Sequence, residues 1–212
     1  RAIKKLPLET MNAPSGPVVI EVPVNVVLSR EGYQAYHYFG YFPQHAEHVE
    51  KWRGEDTGKL LPAGADPEEV AKSVKQIFDA KAPFLILGDY AAWHQAGPEI
   101  EEFINLAQVP FTTRRLGRAV VSEKHPLYYR GLPPFREEVD LHIPVGTKIG
   151  FFDGYGAGWG KCIQVAPCSR RVWHYLPTSA ILMGDTKTVF RQMNDYIKAN
   201  NLHPSPQRAE WV

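Results

Sequence analysis

The sequence predicts an α/β fold: a Rossmann-like, doubly wound parallel sheet with helices on both faces. Short, wholly apolar runs such as Phe84–Leu87 are typical of strands that are buried on both faces of a sheet. Amphipathic stretches such as Val70–Phe78 stand between these runs. Because strands joined by such helices form parallel sheets with right-handed crossovers, we expect one domain over about residues 66–200.

Composition and charge are those of an ordinary globular protein. The chain has 212 residues, 44% of them hydrophobic, which is enough for one or two domains with a real core. Lys and Arg number 24 against 23 Asp and Glu, so the bulk charge favours neither a nucleic-acid partner nor a membrane surface. The two cysteines form no disulfide framework, and no apolar run approaches the roughly 20 residues of a membrane helix. We therefore expect a reducing, cytoplasmic setting.

The N-terminal part contains one predicted strand without partners. Val18–Val24 is a largely apolar, β-branched run after Gly16-Pro17, which is typical of a buried strand. Since a single strand cannot form a domain, we expect its partners to precede Arg1 in a longer protein. Residues 31–65 are rich in Tyr, Phe, His, Gly and Pro without a regular period, which predicts a connector that packs its rings on a folded surface.

Three helices are predicted after this connector. The first begins at Asp66, an N-cap residue that is followed by Pro67 and by two carboxylates near the positive end of the helix dipole. The second begins at Gly97-Pro98-Glu99, and the third covers Thr186–Ala199 with Asp185 as its N-cap. The predicted inner faces recur at helical spacing: Val70, Ala71, Val74, Ile77 and Phe78; Ile100, Phe103, Ile104 and Ala107; Val189, Phe190, Met193, Tyr196 and Ile197.

Five short strands are predicted between and after these helices. They are Phe84–Leu87, Val109–Thr113, Leu141–Val145, Val172–Tyr175 and Ala180–Met183. Pro83 precedes the first of them and Gly88 follows it, which marks its ends. Residues 201–212 contain two prolines and are predicted to form an exit linker.

The carboxyl ends of these strands are the predicted ligand site, because open α/β sheets bind ligands at that edge. Glycines there let backbone amides approach an anion, and Arg or Lys supplies the countercharge. The candidate binding residues are Gly88, Asp89, Thr112, Thr113, Arg114, Arg115, Arg118, Gly146, Thr147 and Lys148. Residues 112–130 hold five basic residues and one Glu, a local charge of +4. This segment either grips the phosphates of a dinucleotide or of coenzyme A, or forms a solvated basic loop.

No residue pattern identifies a nucleophile, an acid–base pair or a metal site. The turn Gly88–Ala92 lacks the Gly-x-Gly-x-x-Gly fingerprint of nicotinamide dinucleotide sites. Five glycines in residues 150–160 predict a flexible loop, and Asp153 within it is interpreted as a turn residue because no second carboxylate stands at ligand spacing. Cys162 and Cys168 lack the spacing of redox or zinc motifs. The residues alone therefore predict a binding or scaffold domain with no catalytic and no metal-ligating residue.

Five segments, in order, resemble the thiamine-diphosphate-dependent enzymes related to acetolactate synthase. Gly16–Val26 resembles the end of the pyrimidine-binding domain of that family, and Ala82–Gly88 resembles the first strand of its central domain. Val109–Gly131, Val139–Thr147 and Gly184–Val189 resemble three later motifs of the same central domain. Each motif is weak by itself, whereas five in the right order and spacing are fairly specific.

The resemblance implies four parts: residues 1–30 end the pyrimidine-binding domain, 31–65 connect it, 66–200 form the central, DHS-like domain of NAD/FAD-binding type, and 201–212 lead out of it. A full enzyme of this kind would use thiamine diphosphate and Mg²⁺ for decarboxylation, carboligation or C–C cleavage of 2-oxo acids or 2-hydroxyacyl substrates. The remaining domains of the same enzyme would be its partners, in a homodimer or homotetramer. The catalytic residues would lie outside this chain, which is expected to be inactive alone.

The resemblance also bears on the ligand of the central domain, which is FAD in some family members, ADP or a CoA nucleotide in others, and absent in many. Here Asp89-Tyr90 replaces a usually Gly-rich turn, and Lys148 stands where Arg is usual. The usual acidic residue is missing near Tyr175–Pro177. These departures disfavour FAD and favour a vestigial site or a CoA-type nucleotide at the arginines after Thr113. Two alternatives stay open: a free-standing, non-catalytic nucleotide-binding subunit of a larger complex, and an independent nicotinamide-dependent oxidoreductase.

Overall fold

The computed structural model describes residues 62–131 and 138–212, apart from the side chain of Phe152. These residues belong to one compact unit, Pro62–Val212. The predicted strand Val18–Val24 lies outside the described residues, as does the predicted connector up to residue 61.

Five parallel strands form one sheet in the order β2-β1-β3-β4-β5. They are β1 (Pro83–Leu87), β2 (Phe111–Thr113), β3 (Leu141–Val145), β4 (Lys161–Ala166) and β5 (Thr178–Met183). Leu85 of β1 pairs with Phe111 on one side and with Ile143 on the other. The predicted parallel α/β sheet is thereby confirmed. The strand order reverses between β1 and β3, and such a switch point is where open sheets bind ligands.

The three long helices begin where their N-cap and proline signals place them. The helices are α1 (Pro67–Asp79), α2 (Asp89–Trp93), α3 (Gly97–Ala107), α4 (Thr186–Ala199) and α5 (Arg208–Trp211). Asp66 caps α1 by accepting hydrogen bonds from the amides of Glu68 and Glu69. Asp185 caps α4 by accepting from the amide of Thr188 at 2.9 Å. Each cap satisfies amides that have no partner inside the helix.

One face of the sheet, the helical face, packs against α1, α3 and α4. Alternate strand residues such as Leu85, Leu87 and Ile143 point to this face and are fully buried with the apolar stripes of the helices. Phe103 of α3 meets Phe190 of α4 edge to face, with ring centroids 5.2 Å apart. The predicted inner faces are confirmed for the second helix, whereas Ala71, Phe78 and Tyr196 of the other two are only partly buried. These three side chains stand at the margins of their stripes.

The other face of the sheet, the opposite face, is covered by irregular segments in the described part of the chain. Phe84, Ile86 and Cys162 form its core together with Trp159 and Leu176. The crossovers from β3 to β4 and from β4 to β5 contain only the 3₁₀ turns Phe151–Gly156 and Ser169–Arg171. These two crossovers therefore place no α-helix on the opposite face, whereas the sequence predicts helices on both faces. Their Gly and Pro content disfavours an α-helix.

The fourth strand is Lys161–Ala166, which the sequence analysis missed, whereas the predicted strand Val172–Tyr175 is wrong. Val172–Tyr175 nevertheless lies beside β4, because the side chain of Gln164 makes the hydrogen bonds to this segment that the backbone of a neighbouring strand would otherwise make. Gln164 Oε1 accepts from Trp173 N at 2.9 Å, and Nε2 donates to Trp173 O at 2.9 Å. One side chain thus satisfies both backbone groups of Trp173, and no ladder forms.

The predicted exit linker contains α5 and one deeply buried charge. Arg208 is 1% exposed, and its guanidinium donates to the carbonyls of Ala107 at 2.8 Å, Ile77 at 2.6 Å and Ala80 at 2.7 Å. These carbonyls end α3 and α1, where the helix dipoles are negative. Trp211 Nε1 also donates to Pro83 O at 3.0 Å. The tail is thereby fixed to two helix ends and to the start of β1.

Candidate functional site

The switch point between β1 and β3 is closed by the chain itself. Gly88 N donates to Val145 O at 2.9 Å, and Tyr90 N donates to Gly146 O at 3.2 Å. A Cβ on Gly88 would lie 2.1 Å from Thr147 Cβ, so only glycine lets these two turns approach so closely. The predicted binding residues Gly88, Gly146 and Thr147 therefore seal this crevice, and none of them lines the cleft described next.

A cationic cleft of about 1090 Å³ lies beside the carboxyl end of β2. Five of the predicted binding residues line it: Thr113, Arg114, Arg115, Arg118 and Lys148. The structure adds Arg130, the carboxylates of Glu123 and Asp153, and the aromatic side chains of Tyr128, Phe151 and Tyr155. The lining thus carries five cations and two carboxylates, which favours an anionic ligand.

The two remaining predicted residues lie next to this cationic cleft. Thr112 is fully buried inside β2. Asp89 begins α2 and accepts from the amide of Leu116 at 3.1 Å, while its second oxygen lies 3.5 Å from Arg115 Nη1. Asp89 therefore holds the 3₁₀ turn Arg115–Gly117 in place and partly neutralises Arg115.

The cations of the cleft fall into two groups. Arg114 Nη2 lies 2.5 Å from Asp153 Oδ1, and Arg115 faces Asp89. Arg118, Arg130 and Lys148 make no ion pair within residues 62–131 and 138–212. The cleft therefore contains two arginines that already face carboxylates and three cations that make no ion pair in the described part of the chain.

Asp153 is buried at the base of the Gly-rich loop, with 3% of its surface exposed. Its Oδ2 accepts from Gly150 N at 3.0 Å, which agrees with its interpretation as a turn residue, and its Oδ1 faces Arg114. Sequence reasoning missed this second contact because Arg114 follows a different strand. The only signal in the sequence was a lone carboxylate among glycines.

Aromatic side chains form one wall beside the cleft. The rings of Tyr155 and Tyr175 meet edge to face with centroids 5.9 Å apart, and Tyr175 Oη donates to Ile149 O. Desolvation raises the pKa of the Tyr175 phenol above its ordinary value. Tyr155 has φ +53° and Arg115 has φ +52°, a left-handed conformation that L residues adopt only under strain.

Cys162 and His94 have structural roles. Burial raises the pKa of Cys162 to about 12, so its thiol is not a nucleophile at neutral pH. His94 Nδ1 accepts from Thr186 N at 2.8 Å, and burial lowers the pKa of this imidazole. Among residues 62–131 and 138–212, no group of three or more His, Cys, Asp or Glu is placed to hold a metal ion. None of the helices in this part of the chain has the length and apolar character to span a membrane.

The fold and the cleft together define an α/β domain of Rossmann-like topology with a cationic edge at the carboxyl end of β2. Residues 70–193 match the family model described as thiamine pyrophosphate enzyme, central domain. The chain therefore belongs to the thiamine pyrophosphate enzyme family through this domain, and the family expected from the sequence motifs is confirmed.

Relatives of known name agree with this assignment. The chain is 27% identical to oxalyl-CoA decarboxylase of Escherichia coli over 146 residues, which cover 66% of this chain and 25% of the relative. It is 25% identical to 2-hydroxyacyl-CoA lyase 1 of Mus musculus over 69% of this chain and 26% of the relative. It is 30% identical to the acetolactate synthase large subunit of Cyanidium caldarium over 93% of this chain and 34% of the relative. The chain thus spans about a quarter to a third of these relatives.

Solved structures share the fold. Benzoylformate decarboxylase from Polynucleobacter necessarius has a TM-score of 0.62 and 20% identity, with 93% of this chain and 36% of that chain covered. A thiamin diphosphate-dependent enzyme from Mycobacterium smegmatis has a TM-score of 0.55 and 20% identity, with 68% and 31% covered. At this identity the likeness establishes the fold alone.

Proposed function

We propose that this domain binds a nucleotide through its diphosphate, at the cationic cleft, within a larger thiamine-diphosphate-dependent enzyme. The observation that carries the proposal is the convergence of Arg114, Arg115, Arg118, Arg130 and Lys148 on one cleft. Arg forks match phosphate oxygens in a bidentate manner, and Lys adds a point charge. A volume of about 1090 Å³ accommodates ADP or the nucleotide part of coenzyme A.

FAD is less well supported than a shorter nucleotide. The sealed crevice between Gly88 and Thr147 leaves no space at the switch point where a dinucleotide would cross the sheet. The cationic cleft lies to one side of that crevice, next to β2. A ligand with one diphosphate and one aromatic base fits the cations and the aromatic wall of Tyr155 and Tyr175.

For the whole enzyme we propose decarboxylation, carboligation or C–C cleavage of a 2-oxo acid or 2-hydroxyacyl substrate. Two of the three relatives above are named for CoA thioesters, oxalyl-CoA and 2-hydroxyacyl-CoA, and a CoA nucleotide would suit the cationic cleft. A homodimer or homotetramer in the cytoplasm is part of the same proposal. A free-standing nucleotide-binding subunit is less well supported, because the matching region forms part of longer chains in these relatives.

The described residues do not fit thiamine diphosphate and its Mg²⁺. Asp185, in the sequence Gly184-Asp185-Thr186, uses its Oδ1 to cap α4 through the amide and hydroxyl of Thr188. Asp153, the buried carboxylate of the cleft, faces Arg114. Neither carboxylate lies in a cluster of three or more potential metal ligands within the described residues. We therefore assign no step of the cofactor chemistry to this part of the chain.

Calorimetric titration of the protein with ADP, coenzyme A, FAD and NAD tests the proposed nucleotide site. We expect ADP or coenzyme A to bind with an affinity that falls as salt rises, and to stabilise the fold by about 2.7 kcal/mol at 100 times the Kd. The double variant Arg118→Gln/Arg130→Gln should weaken this binding at least tenfold. The matched control Arg191→Gln removes an exposed cation of α4 that pairs with Glu99, and should leave affinity unchanged. Equal weakening in both variants, or no binding by the parent protein, would contradict the proposal.

A further inference from the structure

We propose that Asp153 is an internal anion at the Arg114 end of the cleft, and that it selects for ligands carrying several clustered negative charges. The inference rests on the proposed anion site and names a specificity-determining residue within it. Asp153 Oδ1 lies 2.5 Å from Arg114 Nη2, in the place where a ligand oxygen would meet the guanidinium. A ligand that uses Arg114 must therefore displace this carboxylate.

The position of Asp153 makes it a strong competitor. It is 3% exposed, and Gly150 N donates to its second oxygen, so the carboxylate is already oriented and desolvated. An ion pair of this kind is screened much less by solvent than an exposed one. An anion with a single charged group gains too little from Arg114 alone to displace a carboxylate held in this way.

A diphosphate has a further source of binding energy in the same cleft. Arg118, Arg130 and Lys148 line it and make no ion pair within the described residues. A second phosphoryl group that reaches these cations adds attraction which Asp153 does not oppose. Displacing Asp153 costs the same free energy for every ligand that uses Arg114. A diphosphate offsets this cost through the other cations, whereas a small anion that depends on Arg114 does not, and this difference is a form of selectivity.

The backbone around Asp153 is suited to such a displacement. Gly154 has φ +58°, Tyr155 has φ +53° and Gly156 has φ +76°, a run in the left-handed region. The backbone of Tyr155 is strained in this region, whereas that of a glycine would not be. The contacts of Asp153 with Arg114 and Gly150 oppose that strain, so their loss favours a rearranged turn.

Titrations with inorganic phosphate and with pyrophosphate, at constant ionic strength, test the proposal on the parent protein and on Asp153→Asn. We expect Asp153→Asn to bind pyrophosphate at least fivefold more tightly than the parent protein does, and to bind inorganic phosphate measurably where the parent protein does not. Asp195→Asn is the matched control: it removes one negative charge from the exposed side of α4 and should change neither affinity by more than twofold. Glu123→Gln removes the other carboxylate of the cleft, whose oxygen accepts from Thr113 Oγ1, and should have a smaller effect than Asp153→Asn.

Hydrogen exchange gives a second readout that does not depend on the variant. In the parent protein, saturation with pyrophosphate should accelerate exchange of the Gly150 amide, because its acceptor is withdrawn. Unchanged or weaker pyrophosphate binding by Asp153→Asn would overturn the inference, as would slower exchange at Gly150 on ligand binding; the proposed anion site would survive both results. If neither the parent protein nor any variant binds phosphate or pyrophosphate, both the proposed anion site and this inference are wrong.

Discussion

The two faces of the sheet are built by different kinds of contact. On the helical face, alternate strand residues such as Leu85 and Ile143 meet the apolar stripes of three helices, and the burial of apolar area dominates. On the opposite face, polar and aromatic side chains fix irregular segments one by one: His142 stacks on Trp159, and Gln164 binds the backbone of Trp173. The comparison indicates that the helical face supplies stability, while the opposite face shapes the loops that border the cationic cleft.

The largest effect is expected from Phe190→Ala on the helical face. Phe190 is fully buried and packs edge to face on Phe103, so truncation loses both apolar burial and ring contact and leaves a cavity. We expect a loss of about 3–5 kcal/mol in the free energy of unfolding, measured by urea denaturation. Phe151→Ala is the matched control, since this ring is 76% exposed, and it should cost less than about 1 kcal/mol. Similar losses in both variants would contradict the assignment of the core.

Arg208→Met should have the next largest effect, because one guanidinium caps two helices of the helical face. Its removal leaves the carbonyls of Ile77, Ala80 and Ala107 without the donors that they have in the fold. Losing several charge-assisted hydrogen bonds at buried acceptors predicts a loss of about 3 kcal/mol. Denaturation of Arg191→Met, which removes an exposed arginine, provides the comparison. If the two variants lose equal stability, the capping role of Arg208 is wrong.

The difference between the faces also explains which elements the sequence predicts. The helices α1, α3 and α4 were predictable because their signals are local: an N-cap or a proline at the start and an apolar stripe at helical spacing. Gln164 and Trp173 meet through side chain and backbone, so neither residue carries a local signal of the contact. Arg208 meets Ile77 from 131 residues away, and its surroundings resemble those of any polar linker.

The candidate site was also predictable only in part: the sequence predicts which edge of the sheet holds it, but not how the turns at that edge pack. The rule that ligands bind at the carboxyl ends of parallel strands placed Thr113, Arg114 and Lys148 correctly at the edge that holds the cleft. The same rule placed Gly88 and Gly146 in the site, although the structure packs their turns against each other. Packing distances of this kind depend on how far two turns approach, which no pattern within either turn records.

His142 gives the opposite face a dependence on pH. His142 stacks on Trp159 with ring centroids 4.3 Å apart, and burial lowers its pKa from 6.5 to about 4, although Asp140 acts in the other direction. Below pH 6.5 the unfolded chain binds a proton that the folded chain does not, so the contribution of His142 to stability falls as the pH drops from 6.5 to about 4. A shift of this size corresponds to a loss of ~3 kcal/mol at most over that range.

His142→Phe tests this dependence, because phenylalanine keeps the stacked ring and cannot titrate. We expect the difference in unfolding free energy between variant and parent to move in favour of the variant as the pH is lowered through this range. His203→Phe, the same replacement at an exposed position, is the control for the general effect of exchanging an imidazole for a phenyl ring. Parallel pH profiles for His142→Phe and the parent protein would contradict the role given to burial.

Gln164→Leu should have the smallest effect on stability and the most local one. The side chain of Gln164 satisfies the N–H and C=O of Trp173 and donates to Thr178 Oγ1, so leucine leaves three polar groups without these partners. The added apolar burial offsets part of that loss, and we expect a net cost of about 1–2 kcal/mol. Gln207→Leu, at an exposed position, should be nearly neutral.

Amide exchange in Gln164→Leu shows most directly whether the two faces of the sheet open independently. Trp173 would keep the bond from its Nε1 to Thr147 O, so its segment remains tethered beside the cleft while its backbone is freed. Exchange of the Trp173 amide should therefore accelerate by far more than that of Val189, whose amide donates to Asp185 O at the start of α4. Equal acceleration at both amides would mean that the faces unfold together. In that case the opposite face would not have the local independence that its irregular, side-chain-held segments predict.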